Sequence, residues 1–237
     1  MMTIEKMMTP RLMAAASFVE QGSTICDVGT DHAYIPIWLV LSGICPKAIA
    51  MDVRKGPLSR AKENIEKSGG ETKIATRLSD GLLALCKKEA DTVIIAGMGG
   101  ILINRILKDG AAHWDTVKHF ILQPMTAIEE TRKFLSENHF LIQDECLAKE
   151  DDKIYHVLSV VRGEMPITRE IDYYIGKRLI KNKDPLLPRY LDGKLYELYK
   201  AIASMEHGKG EQITEKREKF LSLYREMKKI REVCALW

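Results

Sequence analysis

The sequence predicts a doubly wound α/β domain followed by a helical hairpin, and three observations carry that prediction. Short β-branched or apolar runs alternate with helix-length segments through the first 164 residues, the pattern of βαβ units and a mostly parallel sheet. Beyond Met165-Pro166 the apolar residues recur at helical spacing instead. The first apolar run ends in Asp-x-Gly, at the position where an open sheet of this kind takes its ligand. Two domains are expected, residues 1–164 and residues 165–237.

The composition supports a folded chain. With 237 residues, 46% hydrophobic and 29% charged, and a net charge of +3, it lacks the low hydrophobicity and high charge of disorder. The longest nearly uncharged apolar run, Val93 to Ile103, has eleven residues and three glycines. That is well below the roughly 20 residues needed to span a bilayer. The opening MMTIEKMMTPR carries charges where an export signal would be apolar, so a cytoplasmic address is expected. Cys26, Cys45, Cys86, Cys146 and Cys234 form no CxxC pair and are odd in number, which suits free thiols in a reducing compartment rather than a zinc site. Neither a metal nor a membrane is expected as a partner, and a monomer is.

The strands are expected at STICDVG, AIAMDV, TKIATRLSD, DTVIIAG and HFILQP, with FLIQDECLA and YHVLSVV as an extended or antiparallel pair closing the domain. In the second domain, Leu187, Leu191, Leu195, Leu198, Ile202 and Met205 step by three or four residues and make one apolar stripe. A second stripe, Ile213, Phe220, Tyr224, Met227, Ile230 and Cys234, follows the breaker His207-Gly208-Lys209-Gly210. Two long helices in a hairpin are expected, preceded by a helix from Ile171 to Ile180. Residues 1–164 carry a net charge of −2 and residues 165–237 one of +5. The basic face, with Lys177, Arg178, Lys181, Lys183, Lys216, Arg217, Lys228, Lys229 and Arg231, is either solvated surface or the side that meets a polyanion.

The residues that carry chemistry lie at the strand tips. Asp27-Val28-Gly29-Thr30-Asp31-His32 lacks a full GxGxxG, and its acid at Asp31 would repel phosphates, which argues for a cofactor bearing a positive charge. Asp52 closes the second strand, 23 residues after Gly29, where a carboxylate can accept both ribose hydroxyls. Asp80 in Ser79-Asp80-Gly81 closes the third and can accept an adenine amino group. Any one such Asp reads as a helix cap or turn residue; three at successive tips are harder to explain that way. Ala96-Gly97-Met98-Gly99-Gly100 ends the fourth strand as a ligand-approaching loop or a tight turn. Gln123 in Leu122-Gln123-Pro124 can face the edge of a base or cap the next helix.

DVGTDHAYIP, AGMGG and LQP, with the strand Lys153-Ile154-Tyr155-His156-Val157 and the helical hairpin, resemble the class I S-adenosylmethionine-dependent methyltransferases. More narrowly they resemble the bacterial TrmK family of tRNA (adenine(22)-N1)-methyltransferases, over essentially the whole chain. The resemblance implies a Rossmann-like catalytic domain and a C-terminal coiled-coil domain that helps engage tRNA. It also implies S-adenosylmethionine as cofactor and S-adenosylhomocysteine as product. Asp52 stands where the family commonly has Glu, which shortens the reach to the ribose. Carried over residue by residue, Asp27, Gly29, Asp31 and His32 form the cofactor loop, with the carboxylates facing the methionine ammonium. Asp52 holds the ribose, Asp80 and Gly81 the adenine, Gly97 and Met98 the cofactor's other side, and Arg11 the methionine carboxylate. Asp31, His32 and Gln123 are the expected catalytic residues, and Lys177, Arg178, Lys181, Lys216, Arg217 and Lys228 the expected RNA contacts. Tyr34, Tyr155 and His32 either border the target base or pack ordinarily. The alternative is a methyltransferase acting on a small molecule or another RNA.

Overall fold

In the computed structural model, which describes residues 7–205 and 210–237, every expected strand forms. These are β1 (Ile25–Val28), β2 (Ala48–Asp52), β3 (Ile74–Leu78), β4 (Thr92–Met98), β5 (His119–Pro124), β6 (Phe140–Glu150) and β7 (Lys153–Arg162). They make one sheet in the order β3-β2-β1-β4-β5-β7-β6. The first five are parallel, and β7 runs antiparallel to both β5 and β6.

The strands β1 and β2 are buried at every residue, because helices cover both faces of a parallel sheet. Successive side chains point to opposite faces and so divide the core in two. Ile25, Ala48, Ala50, Ile94 and Ile121 pack with residues of α1 (Pro10–Ser17), α2 (Tyr34–Leu41) and α3 (Lys55–Ser68). Cys26, Val28, Ile49, Val93, Ile95 and Leu122 pack instead with residues of α4 (Gly100–Asp109) and α5 (Ile128–Glu137). Between β3 and β4 the chain turns without a regular helix. From β1 the chain runs outward through β2 and β3, then returns to β4 on the other side of β1. A crevice therefore opens at the carboxyl ends of β1 and β4, where the strand order reverses.

Polar clusters interrupt the apolar interior, the most buried of them around a guanidinium. Arg132 of α5 is 1% exposed and donates from Nη2 to Glu145 Oε2, with His156 Nδ1 3.3 Å from the same nitrogen. A buried guanidinium needs such partners, since an unpaired charge there is strongly disfavoured.

The chain divides into two compact units, one ending at Pro166 and the other beginning at Ile167. The second holds α6 (Ile171–Tyr174), α7 (Lys177–Lys181), α8 (Leu187–Ser204) and α9 (Glu211–Cys234). The expected single helix from Ile171 to Ile180 is thus two short ones. Ile175 (φ −124°, ψ 118°) and Gly176 (φ −70°, ψ 137°) are extended and break the hydrogen-bond ladder between them. Leu187 and Leu191 of α8 are buried, as are Met227 and Cys234 of α9, and the two helices lie against each other. Leu223 joins them in the core, whereas Ile213, expected in the stripe, is exposed near the start of α9. The expected breaker at His207-Gly208-Lys209 lies outside the described residues, as do residues 1–6. All five cysteines are free thiols, and among the described residues no helix is long and apolar enough to cross a membrane.

Candidate functional site

The loop leaving β1 is pinned to β2: the backbone N–H groups of Gly29 and Thr30 both donate to the Met51 carbonyl, at 2.8 and 2.9 Å. Gly29 has φ +75°, a conformation that calls for glycine, and a Cβ there would stand 2.0 Å from Met98 Cε and displace the end of that side chain. Asp31 (φ 40°) and Ala33 (φ 58°) adopt the left-handed region without being glycine. Such strained backbone persists where surrounding structure holds it, and it concentrates at binding and catalytic sites.

This loop separates two lobes of one cleft. The first, 330 Å³, is lined by Arg11, Leu12, Asp27, His32 and Tyr34 among others; the second, 370 Å³, by Asp52, Ser79, Asp80, Gly81, Met98 and Arg105. Gly29, Asp31, Ala96 and Gly97 line both. The expected cofactor residues from Asp27 to Met98 therefore converge on a single crevice, Arg11 with them.

Asp27 is 5% exposed and accepts a 2.7 Å hydrogen bond from the Thr30 hydroxyl. Burial pushes its carboxyl up to about 6 against the lowering effect of that bond, and the Asp52 carboxylate nearby pushes the same way as burial. Asp52 Oδ1 accepts the Arg54 backbone N–H at 2.8 Å, which leaves Oδ2 for a ligand. Asp31, half-exposed at the lip, pairs with Arg60 and lies 3.5 Å from His32 Nε2. The His32 and Tyr34 rings stack, 5.0 Å apart and 9° from parallel, so two of the three candidate rings form one stacked pair lining the first lobe. Asp80 accepts from Arg105 Nη2 at 3.0 Å.

Gln123 departs from expectation. It is fully buried behind the cleft and does not line either lobe. Its Oε1 accepts from Arg11 Nη1 at 2.7 Å and from the Gly97 N–H at 2.9 Å, while Nε2 donates to the Pro124 carbonyl at 3.0 Å. With its amide used on both ends, it positions Arg11 and Gly97 rather than meeting a base. The Gly97 N–H is available to it because β4 carries an irregularity between Ala96 and Met98 where it pairs with β5. Arg11 Nε lies 3.3 Å from Glu150 Oε2, and the Tyr155 ring sits 5.9 Å below the guanidinium.

Ser79, Arg105, Arg60 and Glu150 were not singled out from the sequence. Only Ser79 adjoins a flagged motif; the others reach the site from distant helices or strands, and spacing gives no signal for them. Of the basic residues expected to meet RNA, Lys177 is held 3.1 Å from Asp172, and Lys216 lies over the Phe220 ring at 5.7 Å. Arg178, Lys181 and Lys228 are on the second unit with them, as is Arg217, which is partly buried. Among the described residues no cluster of His, Cys, Asp or Glu is arranged to hold a metal.

Residues 8–158 match the family model described as a methyltransferase domain. The chain is 35% identical over 185 residues to the tRNA (adenine(22)-N(1))-methyltransferase of Bacillus subtilis, covering 76% of this chain and 78% of that protein. The crystal structure of that M1A22 tRNA methyltransferase, TrmK, superposes with a TM-score of 0.87 at 30% identity, covering 94% of this chain and 98% of that one. A Streptococcus pneumoniae protein solved in complex with S-adenosyl-L-methionine gives 0.85 at 34% identity, covering 94% and 99%. Mycoplasma capricolum TrmK, in complex with S-adenosyl-homocysteine, gives 0.80 at 28% identity, covering 94% and 97%.

Proposed function

Since the chain belongs to the tRNA (adenine(22)-N1)-methyltransferase family, we propose that it transfers a methyl group from S-adenosylmethionine to N1 of adenosine 22 of tRNA. The observation that carries this reading is the two-lobed cleft, with a buried carboxylate, Asp27, in one lobe and a second, Asp52, in the other. When bound, the cofactor supplies a sulfonium methyl, which the in-plane lone pair of adenine N1 can take without prior deprotonation.

The residues present fit that cofactor. Gly29 and Gly97 leave the backbone bare at the junction of the lobes, where a side chain would fill the cleft or press on Met98 and Arg11. Asp27 offers its charge to an ammonium group in the first lobe, and Arg11, steadied by Gln123 and Glu150, offers a guanidinium to the carboxylate of the same moiety. In the second lobe Asp52 Oδ2 accepts from ribose, while Ser79, Asp80 and Gly81 border the adenine. The stacked His32 and Tyr34 hold the target base edge-on to the junction, and Asp31 faces the positive charge that develops there. Catalysis then rests on positioning and electrostatics. The base must leave its stack, at a cost of a few kcal/mol. The basic second unit, as a tRNA-engaging domain over residues 165–237, gives the +5 charge a task that a small-molecule substrate would not. The protein acts as a cytoplasmic monomer.

Methyl transfer from labelled S-adenosylmethionine to unmodified tRNA, followed by nucleoside mass spectrometry, tests the reading. It predicts 1-methyladenosine in wild-type tRNA and none in tRNA with A22 replaced by G. Cofactor binding without any RNA methylation would overturn it in favour of a small-molecule substrate.

A further inference from the structure

We propose that the outer face of α8 is a base-stacking platform for RNA, formed by Tyr196 and Tyr199 beside Lys200 and kept open by Gly193. The proposal rests on the tRNA reading above and adds a contact of a different chemical kind from the lysines and arginines already named.

The inner face of α8 is settled by Leu187 and Leu191, which are buried, with Leu195, Leu198 and Ile202 half-buried along the same stripe. Tyr196 and Tyr199 stand off that stripe, 58% and 62% exposed. Three residues apart on a helix, they are surface neighbours. Lys200 Nζ lies 4.6 Å from the centre of the Tyr196 ring, a cation–π contact that orients the ring and places a positive charge beside it.

Gly193 supplies the second, independent observation. A helix interior disfavours glycine relative to alanine, so a glycine there usually answers a need of conformation or packing. Neither need exists here: its φ is not in the left-handed region, and a Cβ would meet nothing within 4 Å. What Gly193 does have is its position, three residues before Tyr196 on the same face. Helical side chains lean toward the N-terminus, so the turn that Gly193 occupies is the one toward which the Tyr196 side chain leans. Glycine leaves the helix surface one turn before Tyr196 open, with nothing within 4 Å of where a Cβ would stand.

Exposed aromatic rings, one of them under Lys200, with Glu197 between them neutralised by Lys194 at 2.8 Å, in a unit with a net charge of +5, are complementary to single-stranded or splayed-out bases and to the phosphates that join them. Stacking of this kind tolerates any base, since every base has a π-face. It would therefore grip the RNA body without choosing its sequence.

The experiment measures tRNA affinity of the full-length protein between 50 and 200 mM salt. Alongside wild type it uses Tyr196→Leu/Tyr199→Leu, Tyr196→Trp/Tyr199→Trp and Gly193→Gln, with cofactor affinity and thermal melting followed for each. The Leu pair is expected to bind tRNA about tenfold more weakly at every salt concentration, with the log–log salt slope and cofactor affinity unchanged, and the Trp pair is expected to recover wild-type binding. Gly193→Gln is expected to melt at a higher temperature, because it removes an unfavourable helical glycine, and yet to bind tRNA more weakly; a purely structural role would not give that combination. Wild-type binding by the Leu pair would overturn the platform alone. Self-association of the wild type that the Leu pair abolishes would overturn it in favour of a protein-docking face. Failure of the wild type itself to bind tRNA would overturn the tRNA reading and this proposal with it.

Discussion

Replacing Asp27 by Asn removes a buried negative charge while leaving an oxygen that can accept the Thr30 hydroxyl. Burial raises the Asp27 carboxyl from 3.8 to about 6. At 1.36 kcal/mol per unit, a shift of about two units is worth about 3 kcal/mol. Because the folded value lies above the unfolded one, the folded state favours the protonated form. That contribution is complete below pH 3.8 and is lost as the pH rises through about 6. Ligand-free Asp27→Asn should therefore be more stable than wild type by about 3 kcal/mol at pH 7.5, with the gap closing toward pH 4. Urea unfolding of both proteins across that range measures it. In the presence of S-adenosylmethionine the order should reverse, since Asn offers no charge to an ammonium. Wild-type cofactor affinity should fall as the pH drops below about 6. A stability gap that does not change with pH, or a variant less stable than wild type at pH 7.5, would refute the argument that this carboxylate is held charged at the expense of the fold.

Two further outcomes follow from the same geometry. Gly29→Ala must adopt φ +75° and displace Met98 Cε from a position 2.0 Å away, so cofactor affinity by calorimetry should fall at least about tenfold, one 1.4 kcal/mol step; undiminished affinity would mean the loop relaxes freely. Arg132→Ala removes the guanidinium from which the Glu145 carboxylate, 3% exposed, accepts, and should cost about 3–5 kcal/mol in urea unfolding. Arg132→Ala/Glu145→Leu should recover part of that, and equal losses in the two variants would show that the charge is not the cause.

The centre of the sheet is legible because β1, β2 and β5 are short apolar runs buried at every residue, which leaves little choice of conformation. The tips were legible because Asp27, Asp52 and Asp80 end successive strands, and parallel pairing brings those ends together. What the sequence did not disclose were choices made between distant elements. Gln123 lay next to the right strand tip, yet the amide turns inward because the Arg11 guanidinium and the Gly97 N–H both reach it. Spacing alone presents Asp31 and Asp80 as acids facing a ligand, whereas Arg60 and Arg105 come from helices α3 and α4 to share them. The helix expected from Ile171 to Ile180 failed at Gly176, where apolar spacing continues but the backbone does not.

The path of the chain through the sheet also bears on how this site comes into being. Strands β1 and β4 form adjacent walls of the cleft, but two other strands are made between them. Arg11 is fixed by a side chain 112 positions later and by Glu150 beyond that. No early folding fragment can contain the pocket, and such long-range pairing forms slowly. The cofactor therefore recognises only a finished first unit. At free concentration [L] it stabilises the whole unit, rather than one loop, by RT ln(1 + [L]/Kd). The unfolding free energy of the first unit thus rises with the free concentration of the methyl donor.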